Sequence, residues 1–158
     1  MSVNEYNFVT LWKIEAPLPE VWDIIVNIED LPNWWKAVLS TKVLDQGDSD
    51  GANFLTEQTW KGVFPYKLTL VSKTIAIDYL KSIELVASGD VEGRGKWTFT
   101  EDEGIVTVQY NWDVKTTQKG MNFLAFVIKP LLAWNHDEMM RWGAKGLANK
   151  LDARLIQF

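Results

Sequence analysis

Apolar and polar positions alternate through most of the chain as far as Lys115, and beyond that the period lengthens. Tyr6, Phe8, Thr10, Trp12 and Ile14 interleave with Asn7, Val9, Leu11, Lys13 and Glu15, the two-residue period of a strand with one more aromatic face. Ala16-Pro17-Leu18-Pro19 stops it, and Pro19 followed by Glu20 suits the first turn of a helix. Val21, Trp22, Ile24, Ile25 and Ile28 then predict a short amphipathic helix ending near Asp30, which Leu31-Pro32 breaks. Asn33-Trp34-Trp35-Lys36 predicts a second short helix or turn. Residues 38–46 form a weakly patterned strand, and Gly47-Asp48-Ser49-Asp50-Gly51 is a turn by composition. Phe54, Thr56, Gln58 and Trp60 share a face of the next strand. After a turn at Lys61-Gly62-Val63, a strand over residues 64–70 carries Phe64, Tyr66, Leu68 and Leu70 on one side. Residues 80–87 predict another strand. Val91, Gly93, Gly95, Trp97 and Phe99 make the apolar face of the following one, where the glycines signal a bulge or a close approach. A hairpin turn at Glu101-Asp102-Glu103-Gly104 leads to the cleanest alternation, Val106, Val108, Tyr110, Trp112 and Val114.

From Gly120 the pattern is helical. Residues 121–134 are almost wholly apolar, and His136, Met140, Ala144, Leu147, Leu151 and Leu155 recur at steps of three and four on one helix face. Pro130 predicts a kink or break, with residues 120–129 as a separate segment. The order is strand, two short helices, about six strands at hairpin spacing and one long terminal helix. This is an α+β chain, read as a single domain over residues 1–158 with no repeat or linker. Half-buried antiparallel strands need a cover, and one helix is narrower than such a sheet, so a cavity between them is expected.

Composition sharpens this picture. The chain has 158 residues, 13% aromatic, with nine Trp. So many indoles are hard to bury dry, because each N–H wants a partner. A net charge of −5 without a basic run argues against nucleic acid and anionic membrane surfaces. There is no Cys and a single His, which leaves no thiolate chemistry and no expected metal or cofactor site. The N-terminus lacks a basic and apolar signal segment, so a cytoplasmic location is the default expectation. The apolar run at 121–134 is too short for a membrane span.

Trp12, Trp60, Tyr66, Trp97, Tyr110 and Trp112 fall on apolar strand faces, with Thr10, Thr56 and Gln58 among them. Each ring alone suits a dry core. As a set they predict an aromatic-walled pocket whose buried polar groups pair with one another, with water or with a ligand. Trp35 joins them near the short helices, at the pocket mouth with Trp34 or in the core, and His136 and Met140 face the pocket from the terminal helix. A lone His on an apolar helix face is ordinarily a hydrogen-bonded core residue. As a general base it would need an orienting group, with Tyr66 or Tyr110 as candidates. Arg94 alternates with Lys96 and Thr98 and is expected on the outer face.

Several stretches carry a family resemblance: Ala16 through Ile24 (APLPEVWDI), Leu31 through Trp35 (LPNWW), Phe64-Pro65-Tyr66, Gly89 through Trp97 (GDVEGRGKW) and Trp134 through Met140 (WNHDEMM). Together with the element order they resemble the helix-grip fold of the START and Bet v 1 superfamily (SRPBCC), in its polyketide cyclase/dehydrase and lipid-transport branch. The resemblance implies a curved antiparallel sheet wrapped around a long C-terminal helix and a deep cavity for a hydrophobic or aromatic small molecule. It implies no reaction, because a fold does not fix a function. The leading expectation is non-catalytic binding or transport of a lipid-like or aromatic polyketide-like molecule. The alternatives are a cyclase or dehydratase using His136 and a cavity Tyr, and an interaction module whose apolar 121–134 segment meets a partner, a second copy included.

Overall fold

The structure is a computed structural model; it describes residues 5–117 and 119–158, with side chains described for 5–117 and 129–158. Strand β1 (Glu5–Glu15) is followed by helix α1 (Leu18–Val26), a 3-10 turn (Ile28–Asp30) and helix α2 (Leu31–Trp34). Six strands follow in a meander: β2 (Val38–Asp45), β3 (Leu55–Trp60), β4 (Leu68–Asp78), β5 (Ser82–Gly89), β6 (Val91–Asp102) and β7 (Ile105–Thr116). Helix α3 (Lys119–Leu151) and a short strand β8 (Arg154–Gln157) complete the chain. The eight strands form one antiparallel sheet in the order β2-β3-β4-β5-β6-β7-β1-β8. This is the helix-grip arrangement, with the sheet curled around α3.

Several elements differ from the sequence expectation. The strand expected over residues 64–70 begins only at Leu68 and continues to Asp78. Pro65 has no N–H for a ladder, and the N–H groups of Val63 and Phe64 bond instead to Asn135 on α3. The turn expected at residues 101–104 is tighter, because Asp102 still pairs with Ile105. Only Glu103 (φ 50°) and Gly104 (φ 79°) turn, both left-handed as a two-residue hairpin requires. Glu101 is exposed and accepts the Leu18 N–H at 2.8 Å, so it caps α1 from a neighbouring strand. The second short helix starts at Leu31 rather than Asn33, with Pro32 in its first turn, where a missing N–H costs nothing. Finally, α3 runs through Pro130 without a break but stops at Leu151. The packing of residues 139–148 in the core holds the helix beyond Pro130, which offsets one lost backbone bond. Asp152 turns left-handed at φ 48°, the Ala153 N–H closes on the Ala148 carbonyl, and Leu155 becomes a strand residue paired with Ile14.

The C-terminal half of α3 is seated tightly. Met139, Met140, Ala144, Leu147 and Ala148 pack in one core cluster with Trp12, Ile14, Val21, Trp22, Ile25, Trp34, Trp35, Val106 and Val108. Both adjacent Trp are buried: Trp34 lies against Trp35, and the Trp35 Nε1–H donates to the Met139 carbonyl at 2.8 Å. Two glycines make this approach possible. A Cβ on Gly143 would overlap the Trp35 indole, and one on Gly146 would overlap the Trp34 backbone carbonyl. In an open helix Gly→Ala gains about 1 kcal/mol. At Gly146 the backbone cannot give way, so Gly146→Ala is expected to destabilise the fold by about 1–3 kcal/mol. A thermal melt measures the sign, and a melting temperature at or above that of the parent would refute this packing.

Candidate functional site

Towards the other end α3 stands off from the sheet, and a cavity of about 370 Å³ opens between them. Its floor comes from the inward faces of β3 to β7 and β1, its roof from Leu132, Asn135, His136, Met139 and Met140 of α3, and one end from Ile25, Val26, Ile28 and Leu31. Of the expected cavity residues, Trp35, Thr56, Gln58, Trp60, Tyr66, Trp97, Tyr110, Trp112, His136 and Met140 line it, and Thr10 and Trp12 do not. Trp12 is only 1% exposed and lies behind the wall, packed on Trp35 and Trp97 at ring-centroid distances of 5.5 and 5.7 Å. Alternation placed it on the inner face correctly. The helical cover touches down there, so that stretch of the face is dry. Arg94 is exposed on the outer face, as alternation predicts.

The floor is an aromatic stack. Tyr110 lies nearly parallel to Trp97 (4.1 Å, 20°) and to Trp112 (5.8 Å, 20°), three rings on adjacent positions of β6 and β7. Gly95, paired with Trp112 in register, leaves room for the phenol to lie across β6. A Cβ there would meet Tyr110 Oη at 2.6 Å and Trp112 Cε3 at 3.1 Å. Burial pushes the Tyr110 hydroxyl far above the usual tyrosine range, so it stays protonated.

Polar groups on the wall are ordered among themselves. The Trp60 Nε1–H donates to Gln58 Oε1 at 3.0 Å, and Gln58 Nε2–H donates to Thr56 Oγ1 at 3.0 Å. Thr56 and Gln58 are 2% and 6% exposed, and Ser72 sits opposite Thr56 on β4. On the roof, Asn135 is the residue that sequence reasoning missed. Its Oδ1 accepts the Val63 and Phe64 N–H groups at 2.6 and 3.3 Å, and its Nδ2 donates to Tyr66 Oη at 3.4 Å. Gly62 leaves space for this amide. Asn135 therefore clips residues 61–66 to α3 and holds Tyr66 against the cavity. The available signal was a polar residue at helical spacing from Met139 on an otherwise apolar face. Burial raises the Tyr66 hydroxyl above its ordinary value, against a lowering by the Asn135 bond and with a smaller rise from Tyr6.

His136 stacks flat on Phe8 (3.8 Å, 9°). Its Nδ1 is buried without a hydrogen bond among the described residues; the Asp137 Oδ1 lies 3.6 Å away, too far for one. Neither Tyr66 nor Tyr110 bonds to it, so the expected orienting partner is not in place. Of the apolar 121–134 run, side chains 121–128 lie outside the described residues; beyond them Leu131 and Trp134 are exposed and Leu132 is buried. No helix among the described residues is long and apolar enough to cross a membrane.

A curled sheet gripping one helix over an aromatic cavity defines a helix-grip, START-like protein. The chain belongs to the family described as polyketide cyclase / dehydrase and lipid transport, whose family pattern matches residues 14–141. A Streptomyces aromatase/cyclase, ZhuI, superposes with a TM-score of 0.77 at 12% identity over 94% of each chain. A START superfamily protein from Mycobacterium smegmatis gives 0.73 at 13% identity, over 92% of this chain and 97% of that one. The protein Ara h 8.0201 gives 0.65 at 15% identity, over 93% and 97%. At such identities the likeness is one of fold. Among curated proteins no sequence matches significantly.

Replacing Asn135 by Ala removes the acceptor for two backbone N–H groups. The expected cost is about 1–2 kcal/mol, with faster amide hydrogen exchange at Val63 and Phe64. Unchanged protection at both amides would show that the loop is held by other means.

Proposed function

We propose that the protein binds a hydrophobic small molecule, aromatic or lipid-like, inside this cavity and does so without chemistry on it. The observation that carries the reading is the Trp97–Tyr110–Trp112 stack facing a partly open cavity. Flat aromatic surfaces there would remove apolar area from water at about 25 cal/mol per Å² before the costs of binding. The volume falls in the range of small-molecule sites, roughly 300–1,000 Å³. Family membership and the fold likeness to an aromatase/cyclase and a START protein are compatible with a binder and with a cyclase. The side chains favour the binder. A general base needs a group to fix its tautomer and direction, and His136 Nδ1 has no such bond among the described residues.

Native mass spectrometry of protein purified from its own host, followed by denaturing extraction, tests this directly. A stoichiometric apolar molecule is expected, and His136→Ala is expected to retain it within about threefold in affinity, a few tenths of a kcal/mol. An empty protein that binds neither lipids nor flat aromatics would refute the binding reading. Turnover of a bound molecule that His136→Ala abolishes while binding persists would replace it with the cyclase reading.

A further inference from the structure

Resting on the binding reading above, the polar atoms of the wall narrow the chemistry of the occupant. Among the described residues that line the cavity, none is Asp, Glu, Lys or Arg. An ionised carboxylate or amine would lose its hydration there without meeting a permanent counter-charge, His136 being the one basic side chain among the described lining residues, a cost of several kcal/mol that neutral groups escape.

What the wall offers is hydrogen-bond donors: the buried Tyr6 hydroxyl, without a partner among the described residues, and two further stations. On β3 and β4 the chain from Trp60 to Gln58 to Thr56 runs in one direction. Each side-chain acceptor already receives one donor, which leaves the Thr56 hydroxyl hydrogen to donate onward. The second Nε2 hydrogen of Gln58 and the Ser72 hydroxyl likewise have no side-chain or backbone partner among the described residues. On β7 the Tyr110 hydroxyl lies over Gly95 and makes no hydrogen bond among the described residues. Burial keeps it protonated, hence a donor. Three strand spacings separate β4 from β7, about 14 Å along the sheet and less across its concave side.

We infer that the cavity selects an uncharged, flat molecule carrying acceptor oxygens at two separated positions, of the ketone, quinone or aryl-ether type. One oxygen is taken by Tyr110 and the other by the Thr56, Gln58 and Ser72 group. Free fatty acids and other carboxylates are discriminated against.

Quenching of Trp emission near neutral pH, with matched three-ring probes, tests this. The probes are anthracene, anthraquinone, an anthraquinone carboxylate and the methyl ester of that acid. Anthraquinone is expected to bind about five- to tenfold tighter than anthracene and at least about tenfold tighter than the carboxylate, with the ester recovering the loss. Tyr110→Phe is expected to bring anthraquinone down towards anthracene. A carboxylate that binds as tightly as anthraquinone overturns the charge selection. Anthraquinone no better than anthracene, or a Tyr110→Phe loss equal for both, overturns the donor stations while leaving the container intact. If no probe binds, the binding reading fails and this inference with it.

Discussion

One helix cannot cover an eight-stranded sheet, and the rest of the molecule follows from how that mismatch is resolved. The curled sheet brings its two ends round towards α3, and the helix is then pressed down at one end only. Gly143 and Gly146 let the buried Trp34 of α2 and Trp35 just beyond it approach the helix backbone, and the Trp35 indole bonds to a helix carbonyl. That end is dry core. Towards Leu132 the same helix stands off, and the space beneath it is the cavity. The tight seat and the empty space are thus two consequences of one geometry. A mutation that loosens the first is expected to reshape the second.

The cavity wall reconciles two demands that usually conflict. Large apolar surfaces face inward, yet the indoles and phenols that supply them carry polar tips, and buried polar groups need partners. Trp35 meets the demand with a helix carbonyl and Trp60 with Gln58. Tyr66 meets it with Asn135, a side chain that also fastens the adjoining loop. Tyr6 and Tyr110 do not meet it among the described residues. An aromatic stack with one unanswered phenol suits a neutral, oxygen-bearing guest better than a bare hydrocarbon.

Most of this was legible in the sequence because strand alternation is a strong signal when one face is buried. β1 and β7 pair in unbroken register along their whole length, and their inward residues are those the pattern predicts. Reading failed where a local pattern was overruled from a distance. Phe64, Tyr66 and Leu68 alternate like a strand, yet Pro65 and the pull of Asn135 take the first two out of the sheet. Leu155 keeps the helical step but pairs with Ile14, since Asp152 has already turned the chain. Trp12 looks like a pocket residue because alternation reports a face and not what covers it. Asn135 escaped notice for a related reason. Its partners lie about seventy residues away along the chain, and no short-range pattern encodes them.

The central claim is that a small molecule enters the space between Trp112 and α3. The indole N–H resonances of the nine Trp residues, followed by two-dimensional NMR during titration with a flat neutral aromatic, test it most directly. Trp35, Trp60, Trp97 and Trp112 line the cavity, and Trp22, Trp134 and Trp142 do not. The account predicts saturable shifts in the first group while the second stays in place. Shifts confined to the exposed Trp134, or none at all up to the solubility of the ligand, would contradict it.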